Sequence, residues 1–209
     1  MINDKKEHIM EVAVELFATN GFEGTSIRQL AQRADVNIAM INYYFGSKEK
    51  LFETLLEHKA SYMRNRIEAV EADQSLTEIE KLDQIIEDYV ARFLSQPEFH
   101  RVLQQELLVS QREALHQNVI SLFAKNTQNV VAIIEKGISK KLFRKVDPPL
   151  VFSSIIGTIN QVMQSRTLCN MLMNKDSDNN PYQDPQFKKR LIQHLKQMIH
   201  TQLLIEKDI

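Results

Sequence analysis

The residues with the most chemistry to offer lie between Ser26 and Phe45, in SIRQLAQRADVNIAMINYYF. Their types suit contact with bases and phosphates. Ser26 with Gln29 three residues on is a capping-box pattern, and Ile27, Leu30, Ala31 and Ala34 follow at helical spacing. Ala31 is small enough for a close helix crossing. Ala34-Asp35-Val36 makes the turn, and Asp35 falls where a positive φ is expected, a conformation easiest for Gly and tolerated by Asp. Asn37 can cap a second helix through its side-chain oxygen. Within that helix Ile41 and Phe45 are four apart and face inward, which leaves Ala39, Met40, Asn42, Tyr43 and Tyr44 on the outer and flanking faces. Ser47 caps the next helix and sets Lys48 at its N-terminus, where unpaired N–H groups already favour a phosphate. This order fits a helix-turn-helix shaped for the DNA major groove.

The rest of the chain must position that element. With 209 residues and 43% apolar content it can hold two modest helical domains or one extended one. Only 5 Gly and 5 Pro argue against an all-β fold. No run of eighteen apolar residues occurs, and MINDKKEHIMEV carries acids and lacks the apolar core of a secretion signal. The single cysteine, Cys169, excludes an intrachain disulfide and fits a reducing cytoplasm. Net charge is -1, and in residues 1–50 the cations Lys5, Lys6, Arg28, Arg33, Lys48 and Lys50 are outnumbered by Asp4, Glu7, Glu11, Glu15, Glu23, Asp35 and Glu49. DNA affinity must therefore come from the placement of a few groups rather than from bulk charge.

Periodicity predicts nine helices and no strand: an all-α fold with a three-helix head. Helix one runs from about Lys5 to Asn20 on a stripe of Ile9, Val12, Ala13, Leu16 and Phe17, with Gly21 as its left-handed cap. The fourth is long, from Ser47 to about Ala72. Thr77 with Glu80 opens the fifth as another capping box. A sixth is expected near Glu98–Arg112 and a seventh after it, and Pro148-Pro149 opens an eighth that continues to Met173. The ninth, about Asp184–Ile205, follows a polar loop. The eighth is apolar over most of its circumference, so it is buried on more than one side.

The head resembles the TetR-type (tetracycline-repressor-like) transcriptional regulators. The likeness rests on Ile9–Phe17, Asn20-Gly21-Phe22-Glu23-Gly24-Thr25-Ser26, Ile27–Ala34, Val36, Tyr44-Phe45, Ser47-Lys48-Glu49 and Leu51. It is specific through about residue 55 and architectural beyond. It implies a DNA-binding domain over residues 1–46 and a helical effector-binding and dimerisation domain over 47–209. Carried over by position, it implies that Ala39, Met40 and Tyr43 approach bases. Thr25, Arg28, Tyr44 and Lys48 would approach phosphates, with Ser26 at the helix start and Asn37 at the groove edge. Asp35 departs from the usual turn glycine. Asn42 stands where a tyrosine is common, and either packs internally or reaches an adenine edge.

A single reading head makes few contacts, whereas a two-fold dimer grips two half-sites. Helices eight and nine are expected to form that interface through Ser154, Gly157, Thr158, Gln161, Leu191, Leu195 and Met198. The middle helices, together with the family likeness, suggest a cavity for a small and largely apolar effector. Its lining would draw on Phe93, His100, Leu103, Gln104, Leu107, Phe123, Asn160, Met163 and Gln164. No cluster has metal-ligand spacing, no nucleophile–base pair is evident, and no cofactor or catalytic residue is expected. The expected function is a cytoplasmic, effector-released repressor of a palindromic operator. The alternative is a helical protein-interaction module with a degenerate head.

Overall fold

Side-chain caps set most of the helix starts. In the computed structural model, which describes residues 2–109, 113–176 and 178–205, Ser26 and Thr77 each close a capping box. Asn37, Asp147, Ser165 and Asp184 accept from first-turn N–H groups of the helices they open. The helices are α1 (Ile2–Asn20), α2 (Ile27–Arg33), α3 (Ile38–Phe45), α4 (Lys48–Ala72), α5 (Glu78–Ser95), α6 (Pro97–Val109), α7 (Glu113–Ser139), α8 (Pro148–Met163), α9 (Arg166–Leu172) and α10 (Pro185–Leu203). A 3-10 turn, Pro181–Gln183, precedes α10. The expected end of the sixth helix at Arg112 lies outside the described residues. Among those described, the only β pairing is an isolated bridge between Phe143 and Leu204. No described helix is long and apolar enough to cross a membrane.

Among the described residues ten helices replace the nine expected, because the stretch from Pro148 to Met173 breaks in two. At Ser165 the backbone turns extended (φ −152°, ψ 125°), and its hydroxyl accepts from Leu168 N–H at 3.3 Å. A serine that bonds the backbone ahead of it offers the chain an alternative to continuing the helix. Arg166 fixes the new direction by donating to the carbonyls of Asp178 (2.6 Å) and Asn179 (2.8 Å). The break turns Cys169 and Asn170 inward and leaves Met171 and Leu172 exposed. Composition disguised this, since both pieces are apolar.

The chain packs as two units, residues 1–61 with 98–123 and residues 62–97 with 124–209. The core of the first contains Ile9, Phe17, Leu30, Ile41, Phe52 and Leu55, all fully buried. Phe17, Phe22 and Phe52 form an aromatic triangle with ring centroids 5.2–5.4 Å apart, and the Phe17–Phe52 pair is edge-on. Each such pair adds about 0.5–1.5 kcal/mol beyond its burial.

In the second unit, α5 lies against α8 and α10, and Ile86, Val90, Ile159, Leu195 and Ile199 fill the core. Polar clamps hold the register. Arg66 reaches both Asp88 oxygens, at 2.9 and 3.2 Å. Arg92 stacks 4.5 Å from the Tyr62 ring centre, and Lys81 donates to the Glu71 carbonyl at 2.6 Å. The buried Glu78 accepts from Lys140 at 2.6 Å, which holds its carboxyl below the usual carboxylate range.

Candidate nucleic-acid interface

The helix-turn-helix forms by the local chemistry its sequence announces. Ser26 N–H donates to Gln29 Oε1 at 2.8 Å, and Gln29 N–H returns to Ser26 Oγ at 3.2 Å. Helix α2 ends as Ala34 N–H bonds the Leu30 carbonyl and Val36 N–H reaches back to that of Ala31, both at 2.9 Å. This wrap needs one left-handed residue, and Asp35 supplies it at φ 51°. Asn37 Oδ1 then accepts from Met40 N–H at 2.7 Å and starts α3. Gly46, at φ 83°, stops α3 after eight residues, its N–H on the Asn42 carbonyl at 2.8 Å.

Helix α3 has two clear faces. Ile41 (0% exposed) and Phe45 (7%) enter the core. Ala39, Asn42 and Tyr43 point to solvent, and Tyr43 is 83% exposed, far beyond what a core-packing tyrosine would show. Asn42 therefore belongs to the outer face and does not pack internally. Tyr44 is half-buried, edge-on to both Tyr43 and Phe45 at centroid distances of 5.4 and 6.3 Å. Met40 is half-buried, and Arg28 on α2 is exposed. Sequence reasoning left out Ile38, which is 40% exposed. Its position four residues before Asn42 was the available signal.

Two residues expected at phosphates are engaged within the head. Thr25 is 1% exposed, and its hydroxyl donates to the Gly21 carbonyl at 2.8 Å, with that of Leu16 at 3.2 Å. It ties the loop between α1 and α2 instead of reaching outward. Lys48 donates to the carbonyls of Phe22 and Thr25, each at 2.9 Å, and lies 4.2 Å from the Phe22 ring centre. The cation that helix polarity assigns to a phosphate is thus spent joining the start of α4 to the same loop. Loop carbonyls leave no periodic trace, so spacing could not have revealed either contact. Arg33 is likewise occupied, 3.2 Å from Glu15 on α1.

The remaining expectations distribute unevenly. Phe93, Asn160, Met163 and Gln164 belong to the second unit, and His100, Leu103, Gln104 and Phe123 to the first. The Leu107 side chain lies outside the described residues. Asn160 is half-buried with its Oδ1 fully enclosed, whereas Gln164 is exposed at the end of α8. His100 is 3% exposed, and burial lowers its pKa to about 4. Of the expected interface residues, Ser154, Gly157 and Gln161 form an exposed stripe on α8, with Thr158 and, on α10, Met198 half-buried. Leu191 (4% exposed) and Leu195 (0%) do not join them, because they pack into the core of their own chain. The apolar stripe of α10 that carries them is covered within its own chain.

Comparison with known proteins adds independent findings. Residues 9–55 match the family described as bacterial regulatory proteins, tetR family, and residues 75–164 match a tetracyclin repressor-like C-terminal domain. Over 148 residues the chain is 38% identical to the HTH-type transcriptional repressor NicS of Pseudomonas putida, covering 66% of each chain. Over 146 residues it is 30% identical to the probable HTH-type transcriptional regulator YttP of Bacillus subtilis, covering 69% of this chain and 70% of that one. The matched stretch thus spans about two thirds of the length of these relatives. The fold is similar to that of the transcriptional regulator FadR from Bacillus subtilis, solved in complex with stearoyl-CoA. The TM-score is 0.70 at 21% identity, over 90% of this chain and 96% of that one.

Proposed function

Because this chain belongs to the tetR family of bacterial regulatory proteins, we propose that it is a sequence-specific DNA-binding transcriptional regulator that works as a repressor. The observation that carries the reading is the outer face of α3, where Tyr43 stands 83% exposed beside Asn42 and Ala39. A tyrosine held out in water on a rigid, doubly capped helix is poorly explained by folding alone. In a major groove it gains a partner. The 1–46 segment reads bases with Ala39, Met40, Asn42 and Tyr43, and Arg28 and Tyr44 meet phosphates. Ser26 and Asn37 orient the two helices. Thr25 and Lys48 hold the scaffold.

The 47–209 segment supplies a two-fold interface and a small-molecule site. The exposed stripe of α8, with Leu150 64% exposed at its start, is the surface on offer to a second copy. Two copies would set their α3 helices on half-sites about 34–36 Å apart. The effector is small and largely apolar, and the enclosed Oδ1 of Asn160 offers it an acceptor. Release requires the effector to bind one conformer better than the other, with coupling of about 1–3 kcal/mol. The protein acts in the cytoplasm, where its operator lies.

Gel retardation of the DNA flanking the gene tests this reading. A retarded fragment that survives nonspecific competitor and carries an inverted repeat is the expected result. Absence of any sequence-selective retention would instead favour a head that no longer touches DNA.

A further inference from the structure

The outer face of α3 carries no charge at all. Its sequence, Ile-Ala-Met-Ile-Asn-Tyr-Tyr-Phe, has neither a basic nor an acidic residue. In the major groove guanine is read chiefly by Arg or Lys on O6 and N7, and cytosine by a carboxylate accepting from N4. Neither type projects from this helix. What projects is one amide, on Asn42, among the apolar side chains of Ile38 and Ala39, with Tyr43 beside it.

The two amides of the motif have different fates. Asn37 is spent on its cap, its Oδ1 on Met40 N–H at 2.7 Å. Asn42 is exposed, and its side chain has no hydrogen-bond partner among the described residues. A carboxamide offers one acceptor and one donor side by side, the complement of adenine N6 and N7. The apolar neighbours complement the thymine methyl. Of the nearby cations, Lys48 is held by two loop carbonyls and supplies no guanine contact over α3, and Arg33 belongs to α2 and pairs at the surface with Glu15.

We propose that α3 selects A·T pairs: Asn42 reads an adenine in each half-site, and Ile38 and Ala39 pack on thymine methyls. This rests on the DNA-binding reading above and names the sequence class that the helix takes. Guanine preference elsewhere in the half-site falls to groups outside α3.

Selection from a random duplex library tests it, using the full chain and its Ile38, Ala39 and Asn42 variants, with helical content checked by circular dichroism. The intact chain should enrich half-sites in which the positions altered by substituting Ile38, Ala39 or Asn42 are A or T. Asn42→Ala should erase adenine preference at one column per half-site, a loss of roughly tenfold or more in discrimination. Asn42→Gln, which keeps the amide, should retain adenine there, and Asn42→Arg should move the column to guanine. Guanine or cytosine at these columns in the intact chain, or adenine preference unchanged in Asn42→Ala, overturns the base assignment alone. A library from which nothing is enriched overturns it together with the DNA-binding reading.

Discussion

At the scale of single residues, the side chains that chemistry alone would send to DNA divide into those that face it and those that build the platform. Lys48 and Arg28 are both cations near the same helix pair, yet Lys48 is bound to two carbonyls and Arg28 is exposed. Lys48→Ala should lower the thermal stability of the head, by about 1–3 kcal/mol for charge-assisted bonds of this kind, with little change in the salt slope of binding. Arg28→Ala should leave the melting temperature unchanged and reduce the salt slope by about one. The reverse pattern in thermal melts and salt titrations would exchange the two roles.

His100 gives a second residue-scale prediction. Burial depresses its folded pKa from 6.5 to about 4, so the native state resists protonation that the unfolded chain accepts. Its contribution to stability is full above pH 6.5 and is lost as pH falls through that window toward pH 4. Urea unfolding followed between pH 7 and 4 should show this decline, and His100→Leu should flatten it. An unchanged pH profile in the variant would assign the slope to other groups.

At the scale of elements, legibility followed the reach of each interaction. The caps at Ser26, Asn37 and Thr77 and the left-handed turn at Asp35 act over a few residues, and their signals are written locally. The break at Ser165 has a local part, its cap on Leu168, and a distant one, Arg166 on the Asp178 and Asn179 carbonyls more than ten residues on, and only the first is written in the neighbouring residues. Leu191 and Leu195 show a related limit. Periodicity reveals that a face is apolar and not what covers it.

Gly137 is another position whose meaning depends on a distant neighbour. A Cβ built there would lie 2.1 Å from the buried Phe143 ring. Gly137→Ala ordinarily favours a helix by up to about 1 kcal/mol. Here displacement of a core aromatic should outweigh that gain, with a net loss of about 1–3 kcal/mol in chemical denaturation. A stabilised variant would mean that the ring moves at little cost.

At the scale of the whole molecule, the two packing units do not follow the expected boundary at residue 46, because α4 contributes to both and residues 98–123 pack with the first. Leu51, Phe52, Leu55 and Leu56 belong to the core of the first unit, and Met63, Ile67 and Val70 to that of the second. A single apolar stripe on one long helix could not disclose that division. Association of two copies can be tested without disturbing either core. Gly157 lies on the exposed stripe of α8, and a Cβ there meets nothing within 4 Å. Gly157→Glu should keep full helical content while light scattering reports monomers and operator affinity falls. Dimers that persist would move the interface to another surface.

The chain contains 5 tyrosines and no tryptophan, and Tyr43 and Tyr44 sit side by side on α3. Its ultraviolet emission therefore comes in good part from the very helix assigned to the groove. Stacking against a nucleobase would dim that light, so the unlabelled protein carries a built-in reporter of its own engagement.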